Sequence, residues 1–557
     1  MGVAIACARA AIAHMRLAIV LQLCLPPVAG RLTTSSRAKL QLVTAWRRSP
    51  FFHFDVAVVS VVATLILALV LADTGGGDPP SPSAAAATVT VDPGASGPAV
   101  PAGFVGLSLE YPALEAYAGT DPRALDPVFE QLVRNLAPGQ APVLRIGGNS
   151  ADRTWWPTAG VERPPGVKFD ITDRWLGVTH ALAQALGAHL ILGLNLEADS
   201  PRLAASEASA LVNGVGSPAV RALEIGNEPD LYPAFPWYRS DGHAVFGRAR
   251  SYDESAYIHD FAGLTGALPH VPLAGPSLSG RQWTQGLGPF LAAEPHLGLV
   301  TLHRYPLQVC LTPRTSARYP TIGRLLSPAT STGLADSFAP YVALARAHGL
   351  SLRVDELNTV SCGADRAVSK SFASALWAIN TLFGLAHAGV SGVNIHTFPG
   401  AGYELFRITH SGGQWRAAIA PEYYGLLMFA RAAPPGSRLL SVSRPAGGAV
   451  DTWATRATDG TLRVVLGNSG SGPRTLAIRV PGAHGNATLT RLTAAGPSAT
   501  SGVTLGGQSF GSQTSTGALA GPAQRASVPE DDGRYVVELP PASAAMLVLS
   551  ARATGDR

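Results

Sequence analysis

Between Val100 and Ala432 the chain repeats one alternation: an apolar run of strand length, then a longer stretch with apolar residues at helical spacing. The strand-length runs are Phe104–Tyr111, Pro142–Gly148, His189–Asn195, Val220–Glu228, Val271–Ser277, Leu299–Tyr305, Leu352–Leu357 and Gly392–Phe398. Between them, Asp126–Leu136 places Val128, Leu132, Val133 and Leu136 on one face, Ile171–Leu186 opens on Thr172 or Asp173 as a cap, and Lys370–Gly389 stops on glycine. Continuous apolar strands separated by amphipathic helices predict a parallel sheet covered by helices, and eight repeats predict closure. The fold class is α/β: a (β/α)8 TIM barrel over 101–434. After Ser437 the helical period disappears. Short strands between Gly, Pro and Ser turns (Leu462–Asn468, Thr475–Val480, Ala487–Thr493, Arg534–Pro540, Ala544–Ser550) predict a C-terminal β-sandwich over 435–552. Residues 87–100 have the same character and are expected to add a strand to it.

The N-terminal part reads differently. Val56–Ala72 is uncharged and apolar over about 17 residues, near the lower limit for a spanning helix, and Arg47-Arg48 lie before it. This is the pattern of an export signal or a membrane anchor. It follows an N-terminal extension (1–55) and precedes a Gly/Pro/Ser/Ala linker (73–86). The expected location is extracellular or at the cell surface. An oxidising compartment lets Cys310 and Cys362 pair, closing a loop of roughly 50 residues for about 4 kcal/mol; the alternative is two free buried thiols.

Composition narrows the function. Charged residues are 14% of the chain and the net charge is +5. Lysine occurs only at Lys39, Lys168 and Lys370, and arginines do not run beyond Arg47-Arg48, which argues against nucleic-acid binding. There is no C-x-x-C and no H-x-x-x-H pair, so no metal site and no cofactor are expected. The chemistry-bearing residues follow the apolar runs instead of interrupting them: Glu110, Arg145, Asn149, Asn227, Glu228, His303, Tyr305, Glu356 and His396. In such barrels the C-terminal strand ends form the active face.

Two carboxylates stand out: Glu228, which closes strand four in LEIGNEPD, and Glu356, which closes strand seven in VDELN. A retaining glycosidase needs two such groups across a sugar, one to protonate the leaving oxygen and one to attack the anomeric carbon. Asn227 is placed to meet a sugar 2-hydroxyl, Tyr305 to hold a carboxylate, and His303 to orient both; Tyr305 and His303 also fit as satisfied core residues. Asp355, adjacent to Glu356 on an extended strand, is expected to point away from the site, and Asp230 to cap a helix or a loop.

The segments RIGGNSAD (Arg145–Asp152), LEIGNEPDLY (Leu223–Tyr232), TLHRYP (Thr301–Pro306), DELNTVSCG (Asp355–Gly363), SFASALWAINTL (Ser371–Leu382) and GAGYELF (Gly400–Phe406) resemble glycoside hydrolase family 79 of clan A, the family of β-glucuronidases and heparanase. The resemblance implies Glu228 as acid/base, Glu356 as nucleophile and Tyr305 beside the nucleophile. It also implies Glu110, Asn149 and Ser150 near sugar hydroxyls, and Tyr403 with Gly363 at the uronic carboxylate. Ser361 stands where the family has a second tyrosine, and a disulfide between Cys310 and Cys362 would brace that loop. The expected function is an exported retaining β-glucuronidase acting on β-linked glucuronic or 4-O-methylglucuronic acid. The rivals are a clan A β-glycosidase for a neutral sugar and a non-catalytic carbohydrate-binding surface protein. The expected partner is a glycoside or oligosaccharide, with membrane anchoring through Val56–Ala72.

Overall fold

The computed structural model describes residues 87–280, 282–443 and 450–549. The extension, the apolar run Val56–Ala72 and the linker lie outside the described residues. Among the described residues no helix is long and apolar enough to cross a membrane.

Eight parallel strands close a barrel in chain order: Val105–Glu110, Val143–Gly147, His189–Leu194, Val220–Ile225, Leu273–Leu278, Leu297–Arg304, Leu352–Leu357 and Val393–His396. The eighth pairs with the first, Val393 opposite Val105 and His396 opposite Ser108. The local rules that start and stop helices operate as the sequence implies. Asp126 accepts from the Val128 amide ahead of the helix Pro127–Leu136, and Thr172 accepts from the Trp175 amide ahead of Asp173–Leu186. That second helix stops at Gly187 in the left-handed conformation. Helix Phe372–Ala388 is apolar on nearly every face because it is covered on nearly every face: Phe383 stacks on Trp453 of the second domain, and Trp453 Nε1 donates to Asn380 Oδ1.

The β domain is built from both ends of the described chain. Ala87–Ala99 pairs antiparallel with Arg438–Ser443 and parallel with Arg474–Arg479. The sandwich-like core does not come from two separate sheets. One hydrogen-bonded sheet of ten strands curls over it, enclosing Val89, Val91, Val464, Ile478, Leu547 and their neighbours. Inside the barrel, Val143, Ile191, Ala222, Ala274 and Leu299 form an apolar layer at the N-terminal ends of their strands. Arg353 and Asn394 are buried beside this layer, and the candidate site residues lie at the opposite end of the strands.

Candidate active site

A cleft of about 1000 Å³ opens at the C-terminal strand ends, with Glu110, Asn227, Glu228, Tyr305, Glu356 and Tyr403 among its walls. Glu228 does not sit on the fourth strand. That strand stops at Ile225 because Gly226 (φ 78°) and Glu228 (φ 51°) both turn left-handed. A non-glycine residue in that region is held there by its surroundings. Here the Glu228 amide donates to the Ser277 carbonyl at 3.0 Å, and its carbonyl accepts from Leu231 N. The turn aims the carboxylate at His303, whose Nδ1 lies 3.2 Å from Glu228 Oε1. On its other side, His303 Nε2 is 2.9 Å from Ser277 Oγ.

Glu356 is held by two strands. The Tyr305 hydroxyl donates to Oε1 at 2.8 Å, and Arg145 Nη1 donates to Oε2 at 2.6 Å. Arg145 is fully buried. Its Nε donates to Glu224 at 2.6 Å, its Nη2 to Asn227 Oδ1 at 2.9 Å, and its Nη1 also to Ser108 Oγ at 3.1 Å. One oxygen of Glu228 and one of Glu356 lie within 4.8 Å of each other, with a His303 nitrogen inside the same radius. Retaining glycosidases hold their carboxyl groups about 5–5.5 Å apart and inverting ones about 6.5–9.5 Å, and the close approach of these two oxygens is in keeping with the shorter spacing.

The surroundings push the two carboxyls in opposite directions. Burial raises Glu228 above the usual carboxylate range, and the negative Glu356 adds to it while His303 opposes it. Burial acts on Glu356 too, but His396, His303, Arg145 and the Tyr305 hydrogen bond outweigh it and hold the group below the ordinary range. His396 is raised: burial opposes its charge, but Glu356 and Glu110 favour it. One carboxyl pushed toward its protonated form beside one pushed toward its ionised form is the division of labour that acid and nucleophile require.

The other predicted residues gather here, with one correction. Glu110 Oε2 accepts from the Ser150 amide at 2.7 Å, and its Oε1 lies 3.5 Å from His396 Nε2. This packing needs glycine at 148: a Cβ there would lie 2.6 Å from the Glu110 carboxylate, and φ is +67°. Asn149 is exposed in the cleft, and its Oδ1 accepts from Asn227 Nδ2 at 3.3 Å. Asn227 is thus fixed from both ends of its amide. Ser150, expected to meet the sugar, does not line the cleft. Its hydroxyl donates to the Gly147 carbonyl and accepts from the Tyr111 amide, so the backbone of the turn takes it up. Tyr403 is buried among Tyr305, His396 and Phe398, with ring centroids 5.8–6.0 Å away, and Gly363 and Ser361 line the cleft near it. A disulfide joins Cys310 to Cys362, with Cα atoms 5.8 Å apart. It ties the loops after strands six and seven, which also pair through Leu307–Gln308 and Val360–Ser361. Asp230 accepts from the amides of Ser279 and Gly280, as a loop cap does.

Asp355 overturns an expectation. Strict alternation would turn it away from Glu356, yet both face inward. Across strands six and seven, Leu302 pairs with Val354 but His303 with Glu356; across seven and eight, Val354 pairs with Val393 but Leu357 with Ile395. The seventh strand carries an extra residue against both neighbours, a bulge that re-aims a side chain. Asp355 reaches Arg145 Nε at 3.4 Å and His303 Nε2 at 3.5 Å. Arg145 and Glu224 received no role from the sequence, although a charged residue inside each of two apolar strands was a readable signal. Asp152 was also missed. It accepts from the amides of Leu196, Glu197 and Asn227 and from the Tyr232 hydroxyl, fixing the backbone that carries Asn227. The stretch GQSFG (Gly507–Gly511) has the spelling of a serine-hydrolase elbow. It lies in a β-domain loop between Thr504–Leu505 and Ala526–Val528, with no helix after the serine.

Comparison with known proteins agrees with this architecture. Residues 450–546 match the family described as glycosyl hydrolase family 79 C-terminal beta domain. No curated protein sequence matches the chain. Among solved structures, the chain is similar to a 4-O-α-L-rhamnosyl-β-D-glucuronidase from Fusarium oxysporum 12S (18% identity, 83% of this chain and 100% of that one, TM-score 0.65). It is also similar to a GH51 arabinofuranosidase from Xanthomonas axonopodis pv. citri (16%, 83% and 100%, TM-score 0.59). A third is a family 51 α-L-arabinofuranosidase from Bifidobacterium longum (16%, 83% and 99%, TM-score 0.55). At these identities the likeness is one of fold.

Proposed function

We propose that this chain, a glycoside hydrolase carrying the family 79 C-terminal β domain, is a retaining β-glucuronidase that works by double displacement. The carrying observation is the pair Glu228 and Glu356, with one oxygen of each within 4.8 Å and their proton affinities pushed in opposite directions. In the first step Glu356 attacks the anomeric carbon while Glu228 gives its proton to the leaving oxygen, forming a glycosyl ester on Glu356. In the second, Glu228 takes a proton from water as that water displaces the ester. Arg145 and Tyr305 hold the nucleophile ionised and aimed. Asn227, pinned by Arg145 and Asn149, offers its amide to the 2-hydroxyl.

The uronic preference is supported by Tyr403 and the Gly363 backbone on one side of the cleft, and by the glucuronidase named among the similar structures. Tyr403 is the residue of this reading that binds the substrate carboxylate. The proposal includes export, on the strength of the Arg47-Arg48 flank and the run Val56–Ala72.

The test is a panel of aryl β-glycosides with Glu356→Gln as control. Hydrolysis of the glucuronide above the glucoside, xyloside and arabinofuranoside, lost by about a thousandfold or more in the variant, is the expected result. Tyr403→Phe should then cost about 10–100-fold in kcat/KM on the glucuronide, the value of one hydrogen bond to a charged group, and little on a glucoside. Cleavage of a neutral glycoside instead would retain the two glutamates and discard the uronic assignment.

A further inference from the structure

Beneath the two glutamates lies a group of charges that the double displacement does not use. Glu224 on strand four and Asp355 on strand seven are both wholly buried. Oxygens of the two, with a His303 nitrogen, fall within 4.8 Å of one another. Arg145 is the cation they contact, at 2.6 Å and 3.4 Å, and it also pairs with Glu356 at 2.6 Å. Three carboxyl groups thus meet one guanidinium. Arg353, earlier on strand seven, feels the Asp355 charge at longer range, and its hydrogen bonds go to Asn394 and the carbonyls of Gly103, Phe104 and Val393. His303 faces Asp355 from strand six, and the Tyr257 and Tyr111 hydroxyls, which donate to Pro276 O and Gly193 O, are the remaining titratable groups near Glu224.

Two adjacent buried carboxylates sharing one cation do not both stay ionised. Hydrogen bonding makes the same point independently. With both groups ionised, Glu224 Oε1 and both Asp355 oxygens have no hydrogen-bond donor. One proton between them supplies a donor and an acceptor at once. The proton goes to Asp355, because Glu224 has the shorter contact with Arg145 and Asp355 the longer.

We infer that Asp355 is a positioning residue that remains a neutral acid, donates its hydrogen bond to Glu224, and so leaves the Arg145 charge to be shared between Glu224 and Glu356. Burial and the Glu224 charge raise Asp355; burial also acts on Glu224, but Arg145 and the Asp355 hydrogen bond outweigh it and bring Glu224 down to about 2. The bulge in strand seven is what makes the arrangement accessible, since a regular strand would face Asp355 outward. An ionised Asp355 would draw the guanidinium away from the nucleophile. The identification of Glu356 as that nucleophile rests on the proposed function; the proton on Asp355 does not.

The test is infrared spectroscopy of the intact protein at pH 7, with and without [4-13C]aspartate, compared with Asp355→Asn. The expected result is a carboxylic-acid C=O band in the wild-type-minus-variant difference that moves when aspartate is labelled. Glu224→Gln provides a second reading: with the Glu224 charge gone, Asp355 ionises against Arg145 and the same band disappears. A difference spectrum showing only ionised carboxylate from Asp355, or an acid band unmoved by labelled aspartate, would overturn the inference even if no glycoside were ever cleaved. In kinetics, Asp355→Asn should leave the acidic limb of the kcat/KM profile in place. A limb displaced downward by about one pH unit would mean that the wild-type residue is charged.

Discussion

Arg145→Met isolates the electrostatic centre of the site. Methionine keeps much of the side-chain volume and flexibility, so packing changes least and the loss is of charge and donors. The structure then leaves Glu224 and Glu356 buried without their cation, each having lost a 2.6 Å bond. Breaking a buried pair by removing one partner costs about 3–5 kcal/mol, and that is the expected destabilisation at pH 7. Its pH dependence carries the stronger test. In the wild type both carboxyls titrate below their ordinary value of 4.5, Glu224 near 2. Their contribution to stability is therefore present above the ordinary value and lost as the pH falls through the folded values. In the variant, burial without Arg145 lifts Glu224 above the ordinary value and lifts Glu356 toward it. Each group so raised destabilises the fold at pH 7, and the penalty shrinks as the pH falls through its new value, by at most about 1.4 kcal/mol per proton and pH unit. Urea unfolding of both proteins at pH 7, 6 and 5 should show a gap that narrows toward acid. A gap of the same size at pH 7 and pH 5 would refute the electrostatic account and leave only lost packing.

Three further outcomes follow from the same geometry. Glu228→Gln should abolish the basic limb of the kcat/KM profile, which in the wild type falls as the pH rises through the raised value of this acid. The loss should be about 10²–10⁴-fold on poor leaving groups and smaller on activated phenols, and equal loss on both would exclude Glu228 as the acid. Asp152→Ala strips the acceptor from the amides of Leu196, Glu197 and Asn227 and from the Tyr232 hydroxyl. It should lower stability by about 2–4 kcal/mol in thermal or urea unfolding, and an unchanged midpoint would mean that water replaces the carboxylate at no cost. Replacing Cys310 and Cys362 together by serine should cost up to about 4 kcal/mol of stability in the chain-entropy picture and raise KM for the glucuronide more than it lowers kcat. A change in neither would separate the disulfide from the cleft.

Much of this protein was legible along the chain because it depends on local period and on what can be buried. Eight apolar runs with helices between them specify strands that must be covered on both sides, and the observed strands match those runs to within a few residues. The clustering of polar residues after the runs marked the end of the barrel at which the cleft opens. Glu228, Glu356, Asn227, Tyr305 and His303 were findable in this way, since each follows or closes an apolar strand.

What the chain could not state by itself is what depends on register and on partners distant in sequence. Alternation predicted that Asp355 turns away from Glu356, and one extra residue in strand seven, visible only against strands six and eight, reverses it. Ser150 looked like a sugar ligand until the turn around Gly148 took its hydroxyl for the backbone. Arg145 read as a strand-end residue; only closure of the barrel brings Glu224, Asn227, Asp355 and Glu356 around it from strands four and seven. The sequence by itself determined the elements, the barrel and the two carboxylates, because burial and periodicity are properties of short segments. The tertiary structure alone decided which way each carboxyl's hold on its proton is pushed, because that depends on distances between charges that the chain separates by tens to hundreds of residues.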